Sequence, residues 1–273
     1  MGDFLSRYDA VLARWPVPVE PVDVESEFGT TRVQVCGPPD GTPLVLLHGG
    51  GATSTVWFDT VGALAITHRV HAPDQIGEPG RSIHNGRPMR TVEDQLDWLN
   101  SVVDHFGLAT FRLGGHSSGA AIAYNYAVRS PGRVDRLVLL DPTQCFAGLR
   151  VGYLLRAIPG LLKPTPARLR SFLTWETGGD VDPEWLELAA AGAEFPSSKT
   201  VAARRPKVNR LDVPTLVVIA GDSRCHDPDK VADNAGKVLS TSVIALLGGV
   251  THHMLPMRPA ERVNPILTEF LAR

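Results

Sequence analysis

Ser117 stands between Gly115 and Gly119 directly after the strand-like segment Phe111 to Gly114, and this stretch restricts the fold more than any other. A serine so placed reads as a nucleophile elbow, a strained strand-to-helix turn that pushes its hydroxyl out of a sheet. The glycines are steric requirements, because a Cβ two residues to either side of the serine would meet the neighbouring strand or helix. The same criterion separates two adjacent serines. Ser118 would need small residues at 116 and 120, and position 116 is His. Ser117 is therefore the candidate nucleophile, and Ser118 the residue whose amide helps hold an oxyanion.

The flanking sequence supplies the alternation that such a turn needs. A leading helix is expected over residues 1 to 19, ending at Trp15-Pro16-Val17-Pro18, because proline stops a helix. Val22 to Phe28 and Thr31 to Cys36 read as a hairpin around Gly29, and Pro43 to Leu47 as a strand covered on both faces. Helix, strand, helix and strand follow at Trp57 to Thr67, Arg69 to Ala72, Thr91 to Phe106 and Phe111 to Gly115. In the second of these helices Val92, Leu96, Leu99, Val103 and Phe106 form one apolar stripe, and Thr91 is placed to cap it. Ser118 to Arg129 continues as an alanine-rich helix and Val134 to Leu140 as a buried strand. From Pro142 to about Arg210 the alternation stops. Leu149 to Leu162, Ala167 to Trp175 and Pro183 to Ala191 read as short helices, broken by Pro159-Gly160 among others. It resumes with Thr215 to Ala220, Asp229 to Leu239, Ser242 to Leu247 and Ala260 to Leu271. One α/β core (1–142 and 211–273) interrupted by an inserted helical cap (143–210) is the expected organisation.

Composition excludes several classes of function. With 273 residues, 43% of them hydrophobic, the chain has ample material for a core. A net charge of −2 and a pI near 6.5 leave no basic field for nucleic acid. The longest apolar runs fall far short of a membrane span, so a membrane is not expected as a partner either. Met1 to Trp15 lacks the apolar centre of a secretory signal, which makes the cytoplasm the default location. The three cysteines match no zinc or redox spacing and are expected to be buried thiols, and no metal-ligand spacing such as His-Glu-x-x-His occurs. His68, His71, His84 and His105 carry no motif and are expected at the surface.

A nucleophilic serine needs a base, and the best candidate is His252, with His253 as the fallback, in the loop between the last strand and the last helix. His48-Gly49-Gly50-Gly51 follows a strand and lets backbone amides point inward; it lacks the lysine and hydroxyl residue of a phosphate loop. The amide of Gly50, with Gly51 as neighbour, is assigned to pair with that of Ser118 as an oxyanion hole.

Together His48 to Gly51, Asp74-Gln-Ile-Gly-Glu-Pro-Gly-Arg-Ser82, Gly115 to Gly119, the strand ending Gly221-Asp222, and His252 followed by Pro259 resemble the α/β-hydrolase superfamily over nearly the whole chain. Tyr8 to Gly37 and the Asp74 turn look most like bacterial cofactor-free carboxylesterases with a helical cap. The resemblance implies a mostly parallel eight-stranded sheet flanked by helices, no cofactor, and hydrolysis of a small-molecule ester through a Ser117 acyl-enzyme with His252 as base. Its rivals are C–C bond or lactone hydrolysis, a biosynthetic cyclisation on the same fold, and a non-catalytic small-molecule-binding member. The acid is left open. Arg224 stands where most members carry it, in Gly221-Asp222-Ser223-Arg224-Cys225-His226-Asp227-Pro228. Asp141, which ends the strand Val134 to Leu140, ranks slightly above Asp222. Asp227 is third, since Asp-Pro looks more like a helix cap. Trp57, Trp175, Phe172 and Trp185 are candidates to line an apolar pocket.

Overall fold

Residues 2–196, 205–206 and 208–273 are described by the computed structural model. Its strands are β1 (Val19–Ser26), β2 (Gly29–Cys36), β3 (Thr42–Leu47), β4 (His68–Pro73), β5 (Ile83–His84), β6 (Phe111–His116), β7 (Val134–Leu140), β8 (Thr215–Ala220) and β9 (Ser242–Leu247). The helices are α1 (Gly2–Leu12), α2 (Val61–Leu64), α3 (Val92–His105), α4 (Ser118–Arg129), α5 (Val151–Leu162), α6 (Pro166–Thr177), α7 (Pro183–Gly192), α8 (Pro228–Val238) and α9 (Ala260–Ala272).

Eight strands follow one path, β1-β2-β4-β3-β6-β7-β8-β9, and the two-residue β5 pairs with β2. The first two pairings are antiparallel and all those from β4 to β9 are parallel. Alternation along the parallel strands divides the core. Val45, Leu47, Leu113, Leu137, Val217 and Ile219 face one layer, packed on α3, α4 and α8. Leu44, Leu46, Val138, Leu140, Leu216 and Val218 face the other, with α1, α2 and α9. Burial of each such side chain contributes roughly 1.5–3 kcal/mol. Strand order reverses between β3 and β6: the chain leaves β3 for β4 on one side and returns to β6 on the other. The loops after β3 and β6 therefore meet at the carboxyl edge of the sheet, where crevices form in parallel α/β folds.

Local capping matches the residue types. Thr91 and Asp94 form a reciprocal capping box on α3, and Asp227 caps α8 with Pro228 in its first turn. Three expectations need correction. The helix expected over Trp57 to Thr67 is instead a 3-10 turn, Ser54–Trp57, followed by the single turn α2. Val56, Trp57, Phe58 and Val61 are all buried there, so packing on all sides overrides one-sided helical spacing. Pro159 does not break α5 but lies within it; the bond that it removes lies on the solvent side, where water can satisfy the carbonyl. His68 and His71 are buried in β4, which has partners on both edges. His71 packs 4.6 Å from the Phe106 ring, and burial pushes its imidazole down to about 4.

Helices α5, α6 and α7 all lie between β7 and β8; residues 197–204 and 207 of the expected cap fall outside the described residues. Helix α7 packs on both α6 and α1.

Candidate active site

Ser117 sits at the turn between β6 and α4 with φ 56° and ψ −119°, a backbone region that L-residues rarely occupy. Its N–H donates to the carbonyl of Leu140, tying the turn to β7. The flanking glycines are obligatory. A Cβ on Gly115 would lie 2.5 Å from the backbone of Gly119, and one on Gly119 would lie 2.4 Å from the carbonyl oxygens of Leu47 and His48.

Ser117 Oγ is 2.8 Å from His252 Nε2, and His252 Nδ1 is 2.6 Å from Asp141 Oδ2. With Nδ1–H donating to the carboxylate, Nε2 is left to accept the serine proton. Asp141 is fully buried at the end of β7, with φ 40°. It also accepts from the Ala220 N–H, the Ser223 hydroxyl and His226 Nε2–H, each at 3.0 Å. Burial alone would raise its carboxyl, but the bonds from His226 and His252 and their charge outweigh that and hold it below the usual range.

Asp222 lies elsewhere. Its Oδ2 accepts the Gly249 N–H at 2.8 Å and its own N–H bonds the carbonyl of Val250, so it shapes the histidine loop from outside. Asp227 is occupied as a helix cap, its carboxylate accepting from the Lys230 N–H. Arg224 turns to the inserted helices, its guanidinium 5.0 Å from the Trp175 ring centroid.

Four contributors had no role assigned from sequence. His226 and Ser223 come from the loop after β8. His116 Nε2 meets the His252 carbonyl at 2.9 Å. Glu176 of α6, fully buried, accepts the N–H groups of His252 and His253 at 3.1 and 3.0 Å and His253 Nδ1–H at 3.1 Å. Burial works to raise the Glu176 carboxyl, but the bond from His253 and the charges of both histidines bring it down to about 2. The one sequence signal for His226 is its place beside the Asp227-Pro228 cap, which puts it in a loop at the carboxyl edge. Nothing in the sequence marks Glu176, which meets partners more than seventy residues away.

The glycine loop lies against the elbow: a Cβ on Gly49 would come 3.1 Å from the Ser117 Cβ, and one on Gly50 would come 3.4 Å from Ser118 Oγ. His48 braces the loop, its Nε2 accepting the Gln75 N–H at 3.0 Å. The Gly51 N–H donates to Glu78 at 2.9 Å, and Gly51 has φ 73°, which favours glycine. Ser118 opens α4, so its N–H has no acceptor within the helix.

Above Ser117 is a cavity of about 600 Å³. Its wall includes Gly50, Gly51, Ser118, Phe172, Trp185 and His253, with further apolar residues of α5 to α7. Two expected lining residues are not in it. Trp57 is buried in the core layer of α1, α2 and α9, because its 3-10 turn aims the indole inward. Trp175 stacks in a cluster with Tyr153, Phe172 and Arg224 behind the wall.

Residues 44–266 match the profile of the Alpha/beta hydrolase family. The chain is 29% identical to Carboxylesterase YbfK of Bacillus subtilis (strain 168), over 98% of this chain and 93% of that protein. The crystal structure of carboxylesterase CesB (YbfK) from Bacillus subtilis aligns with a TM-score of 0.90 at 27% identity, over 98% of this chain and 97% of that one. That of naproxen esterase (carboxylesterase NP) from the same organism gives 0.89 at 26%, over 98% and 96%. The chain belongs to the alpha/beta hydrolase family and is a hydrolase.

Proposed function

We propose that this hydrolase is a carboxylesterase acting on a small-molecule ester through a Ser117 acyl-enzyme. The observation that carries the reading is the continuous chain of contacts from Ser117 Oγ through His252 to the buried Asp141. The esterase activities named for YbfK and naproxen esterase agree with it. Ser117 Oγ adds to the ester carbonyl as its proton passes to His252 Nε2, and the oxyanion is held by the Gly50 and Ser118 amides. Gly51 is left to the cavity wall because its amide is bonded to Glu78. The alkoxide leaves with the proton from His252. Water, deprotonated by the same nitrogen, then adds to the acyl-enzyme, and the acid departs as Ser117 recovers its proton. The volume of the cavity is within the range typical of small-molecule sites. Arg224 at the usual acid position would suit a non-catalytic member; the Asp141 contact favours catalysis instead.

A fluorophosphonate probe tests the reading directly. Covalent labelling of the folded protein is expected on the peptide that carries Ser117, read by mass spectrometry. No labelling, or labelling elsewhere, would overturn it.

The pH profile is a separate check. Burial drives the His252 imidazole below its ordinary value of 6.5, against the opposing pull of Asp141. A depressed value keeps the base neutral to lower pH, so the acid limb of kcat/KM is expected to have its midpoint below 6.5. A midpoint at or above that value would contradict the buried, neutral imidazole.

A further inference from the structure

Helix α5 turns its apolar stripe outward. Val151, Leu154, Leu155, Ile158 and Leu162 recur at steps of three and four, a spacing that ordinarily marks the buried side of a helix. Here Val151 is 71% exposed, Leu155 65% and Leu162 82%, and α5 has no buried residue. Its other side, with Tyr153, Ala157 and Gly160, lines the cavity above Ser117. Leu154 and Leu161 are both exposed and part of the cavity wall, so the outer apolar surface runs without a break into the pocket.

Charge in the segment that carries the stripe has one sign. Pro142 to Trp175 holds no acidic residue, although the whole chain carries −2. Arg150, Arg156, Lys163 and Arg168 are exposed around α5. Among the described residues none of these four forms an ion pair, whereas the fifth cation of the segment, Arg170, is held by Glu187 at 2.7 Å.

We propose that the outer face of α5 rests on an anionic lipid–water interface, from which an amphiphilic ester enters the cavity. The docking stands on the helix alone; the entry of an ester rests also on the esterase reading. Leucines on such a helix sit at the boundary between head groups and acyl chains, while the arginine and lysine heads reach up to the phosphates. A second copy is a poorer occupant. A twofold contact through this face would bring two basic helices together. The sequence-based expectation is of no membrane partner, and it rests on apolar runs too short to span; among the described residues no helix is long and apolar enough to cross a membrane. A helix lying in the interface has no such length requirement.

The test is sedimentation of the full chain with vesicles of mixed phosphatidylcholine and phosphatidylglycerol, and with phosphatidylcholine alone. Binding is expected to favour the anionic vesicles and to weaken with salt. Leu155→Ser/Leu162→Ser and Arg156→Glu/Lys163→Glu are each expected to weaken it by about tenfold or more, since each basic residue near such a surface contributes roughly fivefold. None of the four residues lines the cavity, so thermal melting and turnover of a short soluble ester should stay at the level of the unaltered protein. No binding to either vesicle, or binding indifferent to both pairs of substitutions, would overturn the proposal. So would a leucine variant that splits a dimer while vesicles go unbound, which would assign the face to a second copy. Vesicle binding without ester turnover would leave the docking intact and remove the esterase reading.

Discussion

Replacing Asp141 with Asn is expected to lower kcat for a small ester by about 10⁴, or about 5 kcal/mol of barrier, the loss found when the acid of a serine protease triad is made an amide. Asp222→Asn should change it within roughly threefold, since the amide oxygen can still accept the Gly249 N–H. The contrast follows from what surrounds each carboxylate. Asp141 receives four donors in full burial: His252, His226, the Ser223 hydroxyl and the Ala220 amide. An Asn there must turn its NH₂ toward one pair of them, Ala220 with His226 or Ser223 with His252. If it faces His252, the imidazole takes the other tautomer, Nε2 becomes a donor, and Ser117 loses its acceptor. His226 deepens the penalty, because its buried Nδ1 has no partner among the described residues and its Nε2–H is committed to Asp141. Steady-state rates on both variants decide the matter. Equal losses, or a larger loss at Asp222, would remove Asp141 from the proposed triad.

The elbow is legible in the sequence because it is local: two glycines, one serine and a strand before them admit few backbones, and the positions where a Cβ would collide are fixed within five residues. The alternation of strands and helices is legible for a similar reason, since β7, β8, β9 and α4 are short periodic segments with turn residues at both ends. The partner of His252 is not. Asp141, Asp222 and Asp227 all end up at the carboxyl edge, and one residue more or less in a loop decides which of them faces the ring. Trp57 and Trp175 show the same limit. An indole on a short turn, like Trp57, or near the end of a helix, like Trp175 in α6, can face core, cavity or a neighbouring loop, and the choice depends on neighbours remote in the chain. The burial of His71 is hidden in the sequence, because one histidine in a strand looks polar until both neighbouring strands and Phe106 cover it.

Glu176 carries the other large expected effect. Its carboxylate ties helix α6 to the backbone of the histidine loop, holding two successive amides and the His253 ring at once. Glu176→Gln keeps one acceptor but turns an NH₂ either toward the His252 N–H or toward both donors of His253, so the loop must shift to separate them. A displacement of about 1 Å in a reacting group can cost on the order of 10² in rate, and that is the expected loss in kcat. KM should move little, because Glu176 does not line the cavity. Melting temperature should fall as well, since a buried network loses its charge. The pH profile separates positioning from mere support of the fold. The Glu176 anion raises the affinity of His252 for a proton, more weakly than Asp141 does. Its loss should therefore move the acid limb of kcat/KM to lower pH in the variant that remains folded. A lower melting temperature with kcat and the acid limb unchanged would make Glu176 a structural anchor. A fall in kcat together with the shifted limb would mean that the seating of α6 governs the base beneath it.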